Sequence, residues 1–178
     1  MTDQQLWSAG VERVSIDYQA LPQALKMQLA ELSAEIMALK ARHQTAAATA
    51  AAAEVCAACQ GLCCRFGKHH FTVVDLIVYL SADRELFSPS FDNPVCPYHS
   101  GSGCLMEPSL RPFNCIIFIC EQLETDLEEQ ARADLVWVET RLRRIYGEFE
   151  QLLGNRFVNG LLINFQRALD SGAPLFNS

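Results

Sequence analysis

Pro22-Gln23-Ala24-Leu25-Lys26-Met27-Gln28-Leu29-Ala30-Glu31-Leu32-Ser33-Ala34-Glu35-Ile36-Met37-Ala38-Leu39 carries a single apolar stripe. Leu25, Leu29, Leu32, Ile36 and Leu39 recur at alternating spacings of four and three, and Pro22 suits a first helical turn. The pattern predicts a long helix with one buried face. Ala46 to Ala53 can continue it with high propensity but little to bury, so that stretch must lean on a close neighbour or fray. The far part of the chain mirrors this one. From Glu121 to Leu153, the residues Leu123, Leu127, Leu135, Val138, Leu142, Ile145, Phe149 and Leu152 fall mostly at the same spacings, ahead of the stop signal Gly154-Asn155. Two helices of about 30 residues would each be about 45 Å long by the helical rise, and they are expected to pack antiparallel. The expected fold is therefore mainly α: a long antiparallel hairpin or bundle, with whatever lies between the helices carried at one end.

Shorter signals complete the outline. Residues 1–20 are weakly patterned, with Trp7, Val11, Val14 and Ile16 as a short packing segment. Thr72-Val73-Val74-Asp75 ahead of Leu76, Ile77, Tyr79 and Leu80 reads as a helix start capped by Thr72. Ser88 to Arg111 holds four prolines and two glycines and is expected to be loop. A final amphipathic helix is expected from Phe157 to Leu169, with Phe157, Leu161, Leu162, Phe165 and Leu169 inward. The resulting divisions are a helical arm at 1–54, a central region at 55–120 and a helical region at 121–178 packing on the arm. The same stripes suit contact between copies of the chain, so a homo-oligomer through the long helices stands beside the intramolecular core, which two matched helices favour.

The central region holds every cysteine of the 178 residues. Cys56, Cys59, Cys63 and Cys64 form one knot, and Cys96, Cys104, Cys115 and Cys120 follow. No secretory signal opens the sequence, so a reducing, cytoplasmic setting is expected, where clustered thiols serve metals or catalysis rather than disulfides. Thiolate is the soft ligand preferred by zinc and by iron-sulfur clusters alike, and short spacings let one loop present several sulfurs. Cys63 and Cys64 are neighbours whose side chains diverge, and Cys115 and Cys120 lie five apart, which sends them in different directions on a helix or a strand. Two four-sulfur sites or one polynuclear centre therefore fit better than one mononuclear site with spare cysteines. The dense knot and Cys96-Pro97 lean marginally toward iron-sulfur, while zinc suits the same short spacings.

Charge narrows the partners. The net charge of −7 divides as −2 over residues 1–54, −1 over 55–120 and −4 over 121–178, so the cysteine region is no basic patch and nucleic acid is disfavoured. No apolar run is long enough for a transmembrane helix. Metal ions are the expected partners. Arg65 and Arg111 lie where a guanidinium can offset the negative charge of a thiolate-rich centre or donate to sulfur and carbonyl oxygen. His69, His70 and His99 are imidazoles near the cysteines that eight thiolates make unnecessary as ligands. Ile116-Ile117-Phe118-Ile119 reads as a buried wall behind the site. Asp75 and Glu107 have no partner for acid-base work, and no catalytic residues are assigned.

The run Cys56-x-x-Cys59-x-x-x-Cys63-Cys64-Arg65-Phe66, then Thr72-x-x-Asp75, Cys96-Pro97, Gly103-Cys104, Arg111-Pro112-x-x-Cys115 and Cys120, resembles the YkgJ-like cysteine-cluster family, whose domain is described as zinc- or iron-chelating. The likeness spans about residues 55 to 121. It implies metal chelation by all eight cysteines, in a family whose members mostly lack an established reaction. A similar cluster occurs in a flagellin lysine N-methylase, which introduces an iron-sulfur redox protein or methyltransferase-like enzyme as one alternative. A metal carrier or sensor is another. The order of spacings from Cys56 to Cys63 reverses that of the radical S-adenosylmethionine motif, and the chain is too short and helical for that chemistry's full barrel.

Overall fold

The computed structural model describes residues 1–58, 62–100, 103–157 and 159–176, apart from the side chains of 53, 56, 57, 62, 63 and 122. It is mainly helical, and among the described residues the only β feature is an isolated antiparallel bridge between His99 and Cys104. In chain order the helices are α1 (Asp3–Ala20), α2 (Gln23–Ala48), α3 (Ala52–Ala58), α4 (Val73–Ser81), α5 (Phe113–Ile117), α6 (Glu121–Asp126), α7 (Glu129–Leu152) and α8 (Leu161–Ser171). Two 3₁₀ segments, Leu62–His69 and Pro108–Leu110, complete the set. No helix among the described residues is long and apolar enough to cross a membrane.

The two apolar stripes meet. Leu29, Ile36 and Leu39 of α2 and Leu135, Val138, Leu142, Ile145 and Phe149 of α7 are buried. Glu35 pairs with Arg141, and Arg42 pairs with Asp134 at 2.9 Å. Partners descend along α7 as they ascend along α2, so the two helices run antiparallel. Both are shorter than their patterns predict. α2 stops at Ala48, and Ala51 adopts a left-handed φ of 50° before α3 begins. The turn lets Ala46, Ala47, Ala50 and Ala52 pack with Leu123, Leu127, Ala131 and Leu135 in a second small cluster. Short alanine side chains bury surface only by close approach, which a straight continuation of α2 would not supply. The stretch from Glu121 likewise breaks at Leu127 and Glu128, both extended. Leu127 is buried there, and the Arg132 guanidinium donates to the carbonyls of Glu124 and Leu127, satisfying groups left open at the end of α6.

The first twenty residues form a full helix rather than a short segment. Its start was legible as a capping box, in which Thr2 Oγ1 accepts from the Gln5 N–H at 3.3 Å and Gln5 Oε1 from the Thr2 N–H at 2.9 Å. Leu6, Trp7, Gly10 and Val14 face inward, whereas Ile16 is exposed. Gly10 lies against Phe165 and Leu161 of α8, close enough that an added Cβ would just touch them. The last helix begins at Leu161, later than Phe157, and ends at Gly172 in a left-handed cap. Phe157, Leu161, Leu162 and Phe165 are buried, but Leu169 is exposed. α4 sits in the centre, buried from Val73 through Tyr79. The described residues from Ser88 to Arg111 are irregular except for the His99–Cys104 bridge and the 3₁₀ turn.

His43 of α2 is buried at 5% exposure. Burial pulls its pKa from 6.5 to about 4, against a smaller upward pull from Glu139. The folded protein therefore takes up this proton later than the unfolded chain, so the stability it protects is complete above pH 6.5 and lost as pH falls toward 4. Urea denaturation should show about 2 kcal/mol of this loss between pH 7.5 and 5. In His43→Leu that component should vanish; an unchanged acid dependence would show that His43 titrates as it does unfolded.

Candidate metal centre

The cysteine region is assembled by three devices. The first is the start of α4, where Thr72 and Asp75 form a reciprocal capping box. Asp75 does far more than cap. Its Oδ2 accepts from the Thr72 N–H at 2.9 Å and from Thr72 Oγ1 at 2.7 Å, while Oδ1 receives Lys40 Nζ at 3.1 Å and the Tyr146 hydroxyl at 2.5 Å. The Lys40 and Asp75 side chains are both fully excluded from solvent. This junction locks α2, α4 and α7 together directly after His70 and Phe71. Nothing in the spacing of Asp75 announced it, since its partners lie 35 and 71 residues away.

The second device is the loop that carries Cys96 and Cys104. Asn93 Oδ1 accepts from the N–H groups of Val95 and Cys96, and its amide donates to the His99 carbonyl at 2.9 Å. Leu105 N–H donates to Tyr98 O, and Ser100 N–H to Gly103 O, each at 2.8 Å. Gly103 has a φ of 155°, a conformation strained for other residues. Asn93 is an organiser the sequence reading passed over, although Asn-Pro is a known turn signal.

The third device is aromatic. Tyr98 lies against Trp7 and Phe87 at ring distances of 5.8 and 5.4 Å, and Phe71 lies 5.0 Å from Trp7. The Tyr98 hydroxyl donates to the Lys68 carbonyl at 3.1 Å, tying this loop to the 3₁₀ segment.

Within this frame the candidate ligands are placed unequally. Cys59 lies outside the described residues, as do the side chains of Cys56 on α3 and Cys63 on the 3₁₀ segment. Cys64 is half-buried and Cys96 buried, whereas Cys104 and Cys115 are exposed. Cys96 sulfur stands only 2.6 Å from where a Cβ on residue 67 would be, so Gly67 is what allows the 3₁₀ segment to approach it. The Tyr98 N–H donates to Cys96 sulfur, a bond that favours its thiolate, but burial and the nearby Cys104 push its pKa up overall. Burial also holds Cys115 well above the ordinary thiol range, helped by Cys104, Cys96, Asp75 and Cys64 in that order. Solvent touches Cys115 even though protein fills most of the volume around its sulfur, and that contact tempers the effect of burial. These four thiols thus share one neighbourhood. Cys120 begins α6 and packs instead with the alanine cluster, on which Val55 of α3 also rests.

Other expected residues fall as follows. His70 Nδ1 is 3.2 Å from Cys115 sulfur, a contact the sequence reading did not foresee. Burial and the adjacent His69 lower the His70 pKa, while Asp75 opposes them. His99 and Cys104 are paired in a backbone bridge. Arg65 is exposed with its guanidinium over the Phe66 ring at 4.9 Å, and Arg111 donates to the Met106 carbonyl at 3.4 Å. The wall expected at 116–119 is only partial: Ile116 is buried, Ile117 and Ile119 are half-buried, and Phe118 is 57% exposed. α5 is a single short turn, too brief to bury more than one face.

Among the described residues no three His, Cys, Asp or Glu side chains are preassembled to hold a metal ion. The donor chemistry nevertheless fits one. His70 touches the Cys115 sulfur, and the thiols of Cys64, Cys96, Cys104 and Cys115 lie near enough to oppose one another's ionisation, a cost that a cation would offset. Comparison with known proteins gives no match to a family model, a curated protein or a solved structure.

The buried junction yields a direct test by a double-mutant cycle. Lys40→Met leaves the Asp75 carboxylate buried without its cation and should cost about 3–5 kcal/mol in urea denaturation. Lys40→Met combined with Asp75→Asn should lose clearly less than the sum of the two single changes. Strict additivity would mean that the two residues do not interact in solution.

Proposed function

We propose that this protein binds metal through its cysteines, as zinc or as an iron-sulfur centre, with the iron-sulfur form marginally favoured. The observation that carries this reading is the shared neighbourhood of Cys64, Cys96, Cys104 and Cys115, whose thiols raise the cost of one another's ionisation. A bound cation reverses that cost, so proton release and metal uptake would be coupled. The full proposed ligand set is Cys56, Cys59, Cys63, Cys64, Cys96, Cys104, Cys115 and Cys120, divided between two sites or joined in one polynuclear centre. The separate packing of Cys120 beside α3, the helix that carries Cys56, favours such a division.

In this reading the antiparallel α2 and α7 act as the hairpin that frames the centre, and Arg65 and Arg111 offset its negative charge. A reducing interior would keep the thiols available. The likeness to the YkgJ-like family rests on the motif residues and points to the same chemistry. When bound, the metal would supply the folding energy that orders the cysteine loops. A redox or methyltransferase-like enzyme is an alternative that adds a reaction, to which no catalytic residues are assigned. A carrier or sensor has one observation in its favour, the exposure of Cys104 and Cys115, because exchange requires reachable thiols.

Anaerobic purification with metal and acid-labile sulfide quantified beside the visible spectrum decides the matter. Iron with sulfide and a brown colour is the favoured result, and zinc in a colourless protein is the other form of the same proposal. Cys96→Ser and Cys115→Ser should each lower the bound metal. A protein free of both metals after growth in supplemented medium would sink the proposal. Rapid loss of metal to a competing chelator would select the carrier reading over a closed structural site.

A further inference from the structure

On one side of the cysteine region an open cleft of about 490 Å³ lies between the 3₁₀ segment and the start of α8. Its described lining carries Arg65, Lys68, His69 and His70, with Asp3 set against Lys68 as the nearby carboxylate, on a chain whose net charge is −7. Another open cleft, of about 370 Å³, has the opposite balance: there Arg84 stands beside two carboxylates, Glu85 and Glu107.

Lys68 is already paired with Asp3. Arg65 makes no ion pair with a described residue, and its guanidinium lies 4.9 Å from the Phe66 ring centre. Asn114 and Asn159 line the same cleft and add amide donors. The backbone at Asn159 is held by the Asn164 side-chain amide, which donates to its carbonyl at 2.6 Å. Gly160 permits the close approach of this wall, because a Cβ there would stand 2.3 Å from the His69 carbonyl oxygen. His70 belongs to the cleft and also reaches Cys115, so an occupant would sit one side chain from the thiols.

We propose that this cleft binds a small oxyanion, a carboxylate or phosphate group, gripped by the Arg65 fork and the amides of Asn114 and Asn159. A planar guanidinium and paired amide donors match the lone pairs of such a group, and Arg65 is not engaged by Asp3, whose carboxylate pairs with Lys68. Binding does not rest on the metal reading. If the thiols do hold metal, the anion lies beside that centre as a substrate or co-ligand.

Amide NMR titrations of the full chain with inorganic phosphate, and separately with malonate, test this against sodium chloride at matched ionic strength. Saturable shifts confined to residues 65–70, 114 and 159–163 are expected, with dissociation constants of roughly millimolar order. A response to phosphate alone assigns a phosphoryl group, and a response to malonate alone assigns a carboxylate. Arg65→Ala should weaken binding about tenfold, and Arg65→Lys less, since it keeps the charge without the fork. Arg65 is exposed, so neither change should disturb the fold. Equal shifts with chloride, no shifts at all, or unaltered affinity in Arg65→Ala would overturn the site. Metal measured on the same samples keeps the two readings apart: metal retained without anion binding removes this one alone, and anion binding without metal removes the other.

Discussion

A lysine and an aspartate shut away from water together set the geometry of this protein. Taking either charge out of solvent alone costs several kcal/mol, of order, and only a close, fully hydrogen-bonded partnership makes the pair tolerable. Lys40 and Asp75 meet at 3.1 Å, and Tyr146 and Thr72 occupy the remaining acceptor positions of the carboxylate. Because the four residues come from α2, α7 and the beginning of α4, the pair can be satisfied only when all three helices are in register. A hydrophobic core tolerates small slips between packed helices, whereas this junction does not. It also determines where the chain enters α4, and so where His70 stands relative to Cys115.

The cysteine loops inherit their placement from that junction and from the aromatic contacts above it. Phe71, next to Thr72, packs on Trp7, and Trp7 packs on Tyr98, two residues beyond Cys96. A chain of rigid contacts thus runs from the buried ion pair to the loop bearing Cys96 and Cys104. Asn93 then closes that loop on itself by side-chain bonds to backbone, which local turns need when no ladder or helix satisfies their polar groups. The outcome is a group of thiols held together by the fold even though their mutual repulsion on ionisation opposes it. A bound cation would offset that cost of ionisation, which is why the proposed site is a metal site. The neighbouring cleft presents guanidinium and amide donors, the chemistry on which the proposed anion site rests.

By itself, the sequence determined the helical class, the two long apolar stripes, the Thr72 cap and the concentration of thiols in the middle of the chain. These follow from local periodicity, from a short-range side-chain bond and from composition, none of which requires knowing what lies far away. The Thr2-Gln5 capping box that starts α1 is equally local. Tertiary structure alone decided where α2 and the helix after Cys120 break, because alanines and Leu127 become buried only after the chain turns. It alone decided that Asp75 would face Lys40 and Tyr146, that Cys115 would meet His70, and that Cys120 would pack apart from Cys64, Cys96, Cys104 and Cys115. Each of these depends on contacts between distant residues, and their free energies appear only once the helices have docked.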